Sequence, residues 1–187
     1  MGPTGELRPA SLLVATPELT DPHFARTVVL LLQHDAADGA IGVVLTRPSG
    51  MAVAEVVPPW AELAAGPPVV FTGGPVQPQA AICLGRAAPG TPAGPTFAPL
   101  ADPQLGTVDL DSPPVEGLRQ VRLFAGYSGW SAGQLEAEVA EGAWWVLDLL
   151  PGDPFGPAPA GLWADVLRRQ GLPLALMVGA TADPRLN

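Results

Sequence analysis

Arg26-Thr-Val-Val-Leu-Leu-Leu-Gln-His34, then Asp35-Ala-Ala-Asp-Gly39, then Ile41-Gly-Val-Val-Leu-Thr-Arg47 is the stretch that decides the fold. Two runs rich in Val and Leu flank a loop of turn-forming Asp and Gly, which predicts an antiparallel β-hairpin. Val28 to Leu32 is apolar at every position. A strand of that kind has to be covered on both faces, so it belongs at the centre of a sheet.

Working outward, Ser11–Ala15 is a short apolar strand ended by Thr16-Pro17, because a residue preceding proline is pushed out of the helical region. Asp21-Pro22 starts a helical turn, with Asp as the cap and Pro at the first helical position. A helical stretch within 51–65 is interrupted by Pro58-Pro59. Val69–Phe71 and Ala80–Gly85 read as strands on either side of Thr72-Gly73-Gly74-Pro75. Val121–Phe124 is another strand, Gln134–Glu141 a helix stopped by Gly142, and Trp144–Leu150 a strand. Leu162–Gln170 is a helix whose last turn holds Arg168 and Arg169, which suits its dipole. Leu174–Val178 is expected as a final strand. The elements amount to an α/β (α+β) architecture: one domain over 1–187, with a mixed, partly antiparallel sheet and helices packed around it. From Ala87 to Gly117, Pro recurs at 89, 92, 95, 99, 103, 113 and 114, which marks a loop excursion with one short strand near Val108-Asp-Leu110.

Composition narrows the function. There are 18 acidic residues against 9 basic ones, all Arg, for a net charge of −9. Duplex binding depends on Lys and Arg neutralising phosphates, so direct nucleic-acid binding is disfavoured. Without Lys there is no Walker lysine, and one Cys with two His makes no zinc pattern. No metal site or cofactor is expected. The lone Cys83, within Ala81-Ile82-Cys83-Leu84, reads as a small buried hydrophobe. The N-terminus lacks a basic n-region and an h-region, and no apolar run approaches the ~20 residues of a membrane span. A cytosolic location is expected.

Gly129-Trp130-Ser131-Ala132-Gly133 matches G-x-S-x-G, the nucleophile elbow of α/β-hydrolases. A serine nucleophile requires a base held by a third group, and in that fold the histidine follows the serine. His23 and His34 both precede Ser131. The same residues also read as a helix start. Ser131 with Gln134 forms a capping box, Trp130 with Leu135 the accompanying hydrophobic staple, and Glu136 meets the helix dipole. No catalytic residue is therefore assigned, and a serine hydrolase using Ser131 stands as the alternative.

Other polar residues have plainer roles. Arg26 and His34 share parity, hence one strand face, yet lie about 26 Å apart along a straight strand. His34 reads as a satisfied polar residue beside the hairpin loop. Asp35 and Asp38-Gly39 suit turn chemistry, and Asp102, Asp109 and Asp111 a solvated acidic surface. Gly73-Gly74 and Gly126-x-x-Gly129 follow strands and read as tight turns, and Tyr127 and Trp130 beside them read equally as groove lining or as core.

Four blocks in register resemble the AlgH/YqgE family. They are Ala15-Thr-Pro-Glu-Leu-Thr-Asp-Pro-His-Phe-Ala-Arg-Thr-Val-Val, Gly42-Val-Val-Leu-Thr-Arg-Pro, Gly73-Gly-Pro-Val, and Leu123-Phe-Ala-Gly-Tyr-Ser-Gly-Trp with Gly133-Gln-Leu-Glu. The resemblance runs from about residue 8 to the C-terminus, includes Leu162-Trp163 and is weakest in the Pro-rich stretch. It implies a bacterial cytosolic α/β protein. It carries over no catalytic residue, cofactor or substrate, and the family's frequent label is transcriptional regulator. It also implies that position 131 is not restricted to serine. Ser128 and the long excursion depart from the commonest family pattern. The functional expectation is a non-enzymatic module binding an unknown small ligand or protein partner through Gly73, Gly74, Pro75, Tyr127 and Trp130.

Overall fold

The structure is a computed structural model and describes residues 5–179. One ten-stranded sheet runs in the order β10-β1-β2-β3-β9-β6-β8-β7. Its centre is the predicted hairpin, β2 (Val28–Asp35) and β3 (Gly39–Val44), with β1 (Ser11–Ala15) and β10 (Trp144–Asp148) on one side. On the other side β9 (Leu118–Trp130), 13 residues long, joins the two halves. Its end pairs with β3 through Ala40↔Trp130, and its residues from Leu118 to Tyr127 pair with β6 (Val76–Ala87). β5 (Val69–Thr72) runs parallel to β9 and carries β4 (Pro48–Ala52) on its other edge. The sheet is thus mixed but mainly antiparallel.

Burial explains the shape. Leu12, Val28, Leu30, Leu84, Leu105 and Phe124 form one core although they come from strands at both ends of the sheet. Only a curled sheet brings such strands together. α3 (Leu162–Arg169) closes this core with Trp163, Val166 and Leu167, and the Trp163 indole donates to the Ala15 carbonyl at 2.8 Å. Arg169 at its end makes a two-pronged pair with Asp153, at 2.7 and 2.8 Å. The outer face of the sheet carries two further cores. Leu13, Val29, Leu31, Trp130 and Trp144 pack under α2 (Gln134–Ala140) through Leu135. Val53 of α1 (Val53–Val56) and Trp60 of the following 3-10 turn cover Cys83, Val121 and Leu123. The residues from Val28 to Leu32 alternate between two of these cores, so the strand is buried on both faces as its composition requires.

A β-bulge corrects one expectation. Leu31 pairs with Gly42 and Gln33 with Ile41, so Leu32 is an extra residue in β2. An inserted residue reverses which face each later side chain takes. Arg26 stacks over Trp163 at 4.6 Å, beside the inner core, whereas His34 reaches Glu136 of α2 on the outer face. They do not share a face.

Three other elements differ from expectation. Leu174–Gly179 is a 3-10 helix packed on α3 and not a strand, with Leu174 and Met177 at three-residue spacing on the inner core. A short apolar run cannot by itself distinguish the two periods. The Pro-rich excursion is more ordered than a loop. It supplies β7 (Phe97–Pro99) and β8 (Leu105–Val108), whose Phe97 and Leu105 are buried. Finally, Gly133, at φ 73°, caps α2 in place of Ser131. Half of the capping box survives, because Gln134 Oε1 accepts from the Ser131 backbone N–H at 3.0 Å.

Candidate functional site

The two glycine turns come together, but by direct backbone contact. The Gly73 N–H donates to the Ala125 carbonyl at 2.9 Å, and the Gly73 carbonyl accepts from the buried Ser128 hydroxyl at 3.1 Å. A Cβ on Gly74, whose φ is 154°, would lie 2.3 Å from the Tyr127 carbonyl. A Cβ on Gly126, at φ 72°, would lie 2.6 Å from the Gly74 oxygen. Gly73 and Gly74 are buried by this approach. Pro75 is exposed at the turn.

The open surface lies one strand away. Tyr127 and Trp130, with Val76 and Asp38, line a hollow of about 410 Å³ whose far wall is His34. His34 also borders a second, larger cleft of about 640 Å³ on its other side. That cleft is walled by Leu7, Val139, Ala140, Trp144 and Trp145, and it carries Glu6 and Glu136. Of the five residues expected from sequence, Tyr127 and Trp130 therefore border open space.

Between the two hollows, His34 Nε2 and Glu136 Oε1 are 2.8 Å apart. The His34 side chain is 15% exposed and that of Glu136 40%. The Glu136 carboxyl is held below the usual carboxylate range by its own backbone N–H and then by the imidazole. Glu136 thus does more than face the helix dipole. Asp35 is similarly lowered by the backbone N–H groups of Ala37 and Asp38, the turn role expected of it.

The floor is braced from beneath. Glu138 Oε2 accepts from the indoles of both Trp130 and Trp144, each at 2.9 Å, and Glu138 Oε1 accepts from Gln134 Nε2 at 2.9 Å. Phe24 packs edge-on against Trp144 at 5.5 Å. These contacts fix the aromatic rings that border both hollows.

Ser131 lies outside this pair. Its hydroxyl bonds to Gln134 Oε1 at 3.2 Å and has no bond to His34. The imidazole-carboxylate unit is present, but its partner is the second residue of α2 beyond Gln134, not the serine. Two other reactive groups are buried. Cys83 has its thiol pushed up to about 12 by burial. Arg122 is 3% exposed, with its guanidinium 4.2 Å over Phe71 and donating to the Gly66 carbonyl at 2.8 Å. Burial pushes it down to about 10. Among the described residues no three His, Cys, Asp or Glu side chains form a cluster that could hold a metal ion, and no helix is long and apolar enough to cross a membrane.

No single residue signalled the pairing of His34 with Glu136. They are 102 positions apart, and the parity of β2 pointed His34 to the wrong face.

Fold and site define a curled, mixed α/β sheet protein with an acidic, tryptophan-lined cleft beside its outer helix. The chain belongs to the AlgH-like family: the family model "DUF179: AlgH-like" matches residues 12–175. It is 47% identical over 186 residues to a UPF0301 protein of Thermobifida fusca, covering 95% of this chain and 94% of that one. A UPF0301 protein of Streptomyces avermitilis is also 47% identical, over 184 residues, with 94% and 93% covered. Among solved structures, a protein of Corynebacterium diphtheriae is 35% identical with a TM-score of 0.88, covering 95% of this chain and 94% of that one. The AlgH protein of Pseudomonas aeruginosa is 28% identical with a TM-score of 0.67, covering 97% and 98%.

Proposed function

We propose that the protein is a non-enzymatic binding module that takes a small ligand in the cleft between α2 and the edge of β10. The observation that carries this reading is the His34–Glu136 pair, a polar fixture at the border of an apolar cavity of about 640 Å³. Small-molecule sites have this character: a volume of roughly 300–1,000 Å³, mostly apolar walls and a few placed polar groups. The bracing of Trp144 by Glu138 supports it further, since a fixed wall loses little entropy on binding. The role is cytosolic in this reading, and any regulatory effect runs through the ligand or a protein partner. The net charge of −9 opposes direct contact with duplex DNA.

A fragment screen followed by amide NMR tests the reading. Binders are expected to shift the signals of Leu7, Val139 and Trp145, and Val139→Asp should abolish those shifts while leaving the remaining spectrum in place. Binders that cluster elsewhere, or none at all, would overturn it.

A further inference from the structure

We propose that the ligand of this cleft is an amphiphilic ammonium, with an apolar or aromatic body and one cationic amine. This rests on the cleft being the binding site and adds the chemistry of its occupant. The apolar requirement comes from the wall of Leu7, Val139, Ala140 and the two tryptophans. The positive charge comes from what lines the rest. Glu6 and Glu136 are both there, among the described residues no guanidinium lines the cleft, and the chain contains no lysine. The adjoining hollow adds Asp35 and Asp38. An anionic ligand would meet the Glu6 and Glu136 carboxylates, at short range and partly out of water, beside the His34 imidazole.

The hydrogen-bonding groups have the same polarity. Glu136 Oε1 is engaged by His34 Nε2, and among the described residues neither Glu136 Oε2 nor His34 Nδ1 has a partner. An open carboxylate oxygen at the cleft's border suits a donor with several N–H groups, which an ammonium is and a carboxylate is not. Glu136 stays ionised throughout the neutral range, since its carboxyl is lowered.

The test uses three probes that share a phenyl ring on a two-carbon linker, applied to the full chain: 2-phenylethylammonium, 2-phenylethanol and 3-phenylpropionate, titrated by NMR at low salt. The ammonium should bind tightest, shifting Val139 and Trp145. Glu136→Gln should weaken it about fivefold, the loss of one half-exposed ion pair. That variant should leave 2-phenylethanol binding unchanged, which separates lost charge from lost structure. If the carboxylate probe binds as well as the ammonium, or Glu136→Gln has no effect on the ammonium, the assignment of charge is wrong while the cleft stands. If none of the three shifts Val139 or Trp145, the binding cleft itself is wrong.

Discussion

The imidazole of His34 and the carboxylate of Glu136 meet at 2.8 Å, closing a contact between β2 and α2 across 102 residues of chain. The contact has a consequence in acid. Glu136 and Asp35 are both more acidic in the fold than in the unfolded chain. Their contribution is present above the unfolded carboxylate values, roughly pH 4, and is lost as pH falls through the lower folded values. Urea midpoints measured from pH 7 to pH 2 should fall in that acid window on account of these groups. Glu136→Gln should make the acid limb shallower. An unchanged limb would show that the pair holds no ionised carboxylate.

Glu138 carries two indoles on one oxygen. Glu138→Ala strands both Trp N–H groups, one on a ring 6% exposed and the other 1%. At ~1–3 kcal/mol for each buried unpaired donor, the loss should reach about 2–6 kcal/mol by urea unfolding. Glu138→Gln keeps an acceptor oxygen and should lose less than half of that. Equal losses would mean that charge, not hydrogen bonding, holds the rings.

The glycine contact between β5 and β9 leaves no room for a methyl group. Gly74→Ala and Gly126→Ala place a Cβ within 2.3 and 2.6 Å of backbone at left-handed φ, so each should cost more than about 3 kcal/mol or prevent folding. Gly152→Ala, which meets nothing within 4 Å, serves as the control and should stay within ~0.5 kcal/mol of the parent. A parent-like melting temperature for Gly74→Ala would show that the two turns stand apart in solution.

Reactivity should follow burial and bonding. The Cys83 thiol, raised to about 12, should resist Ellman's reagent at pH 8 in the native protein and react fully in guanidinium. Ser131, bonded to Gln134 and not to an imidazole, should take up no fluorophosphonate. Native labelling that disappears in Ser131→Ala would reinstate the hydrolase reading.

Much of the scaffold was legible because its signals are local. The hairpin at 28–44, its double-sided burial, the proline-broken helix at 53–63 and the stop of α2 before Gly142 all follow from alternation, turn residues and caps. The larger cleft was not legible, since none of the five residues expected from sequence lines it. Tyr127 and Trp130 were visible as aromatics beside glycines, and both border the smaller hollow. The glycines themselves were read as turns and proved in addition to be a backbone contact between strands, which requires knowing that β5 lies beside β9.

The chain by itself determined the sheet, the strand at its centre, the acidity of its surface and the absence of lysine, since each depends on residue type and near neighbours. Only the tertiary structure decided which polar residues meet. One extra residue, Leu32, turns His34 to the face where α2 packs, and that single change of register brings it to Glu136. A contact over such a separation depends on the path of the backbone between, and spacing along the chain contains no measure of it.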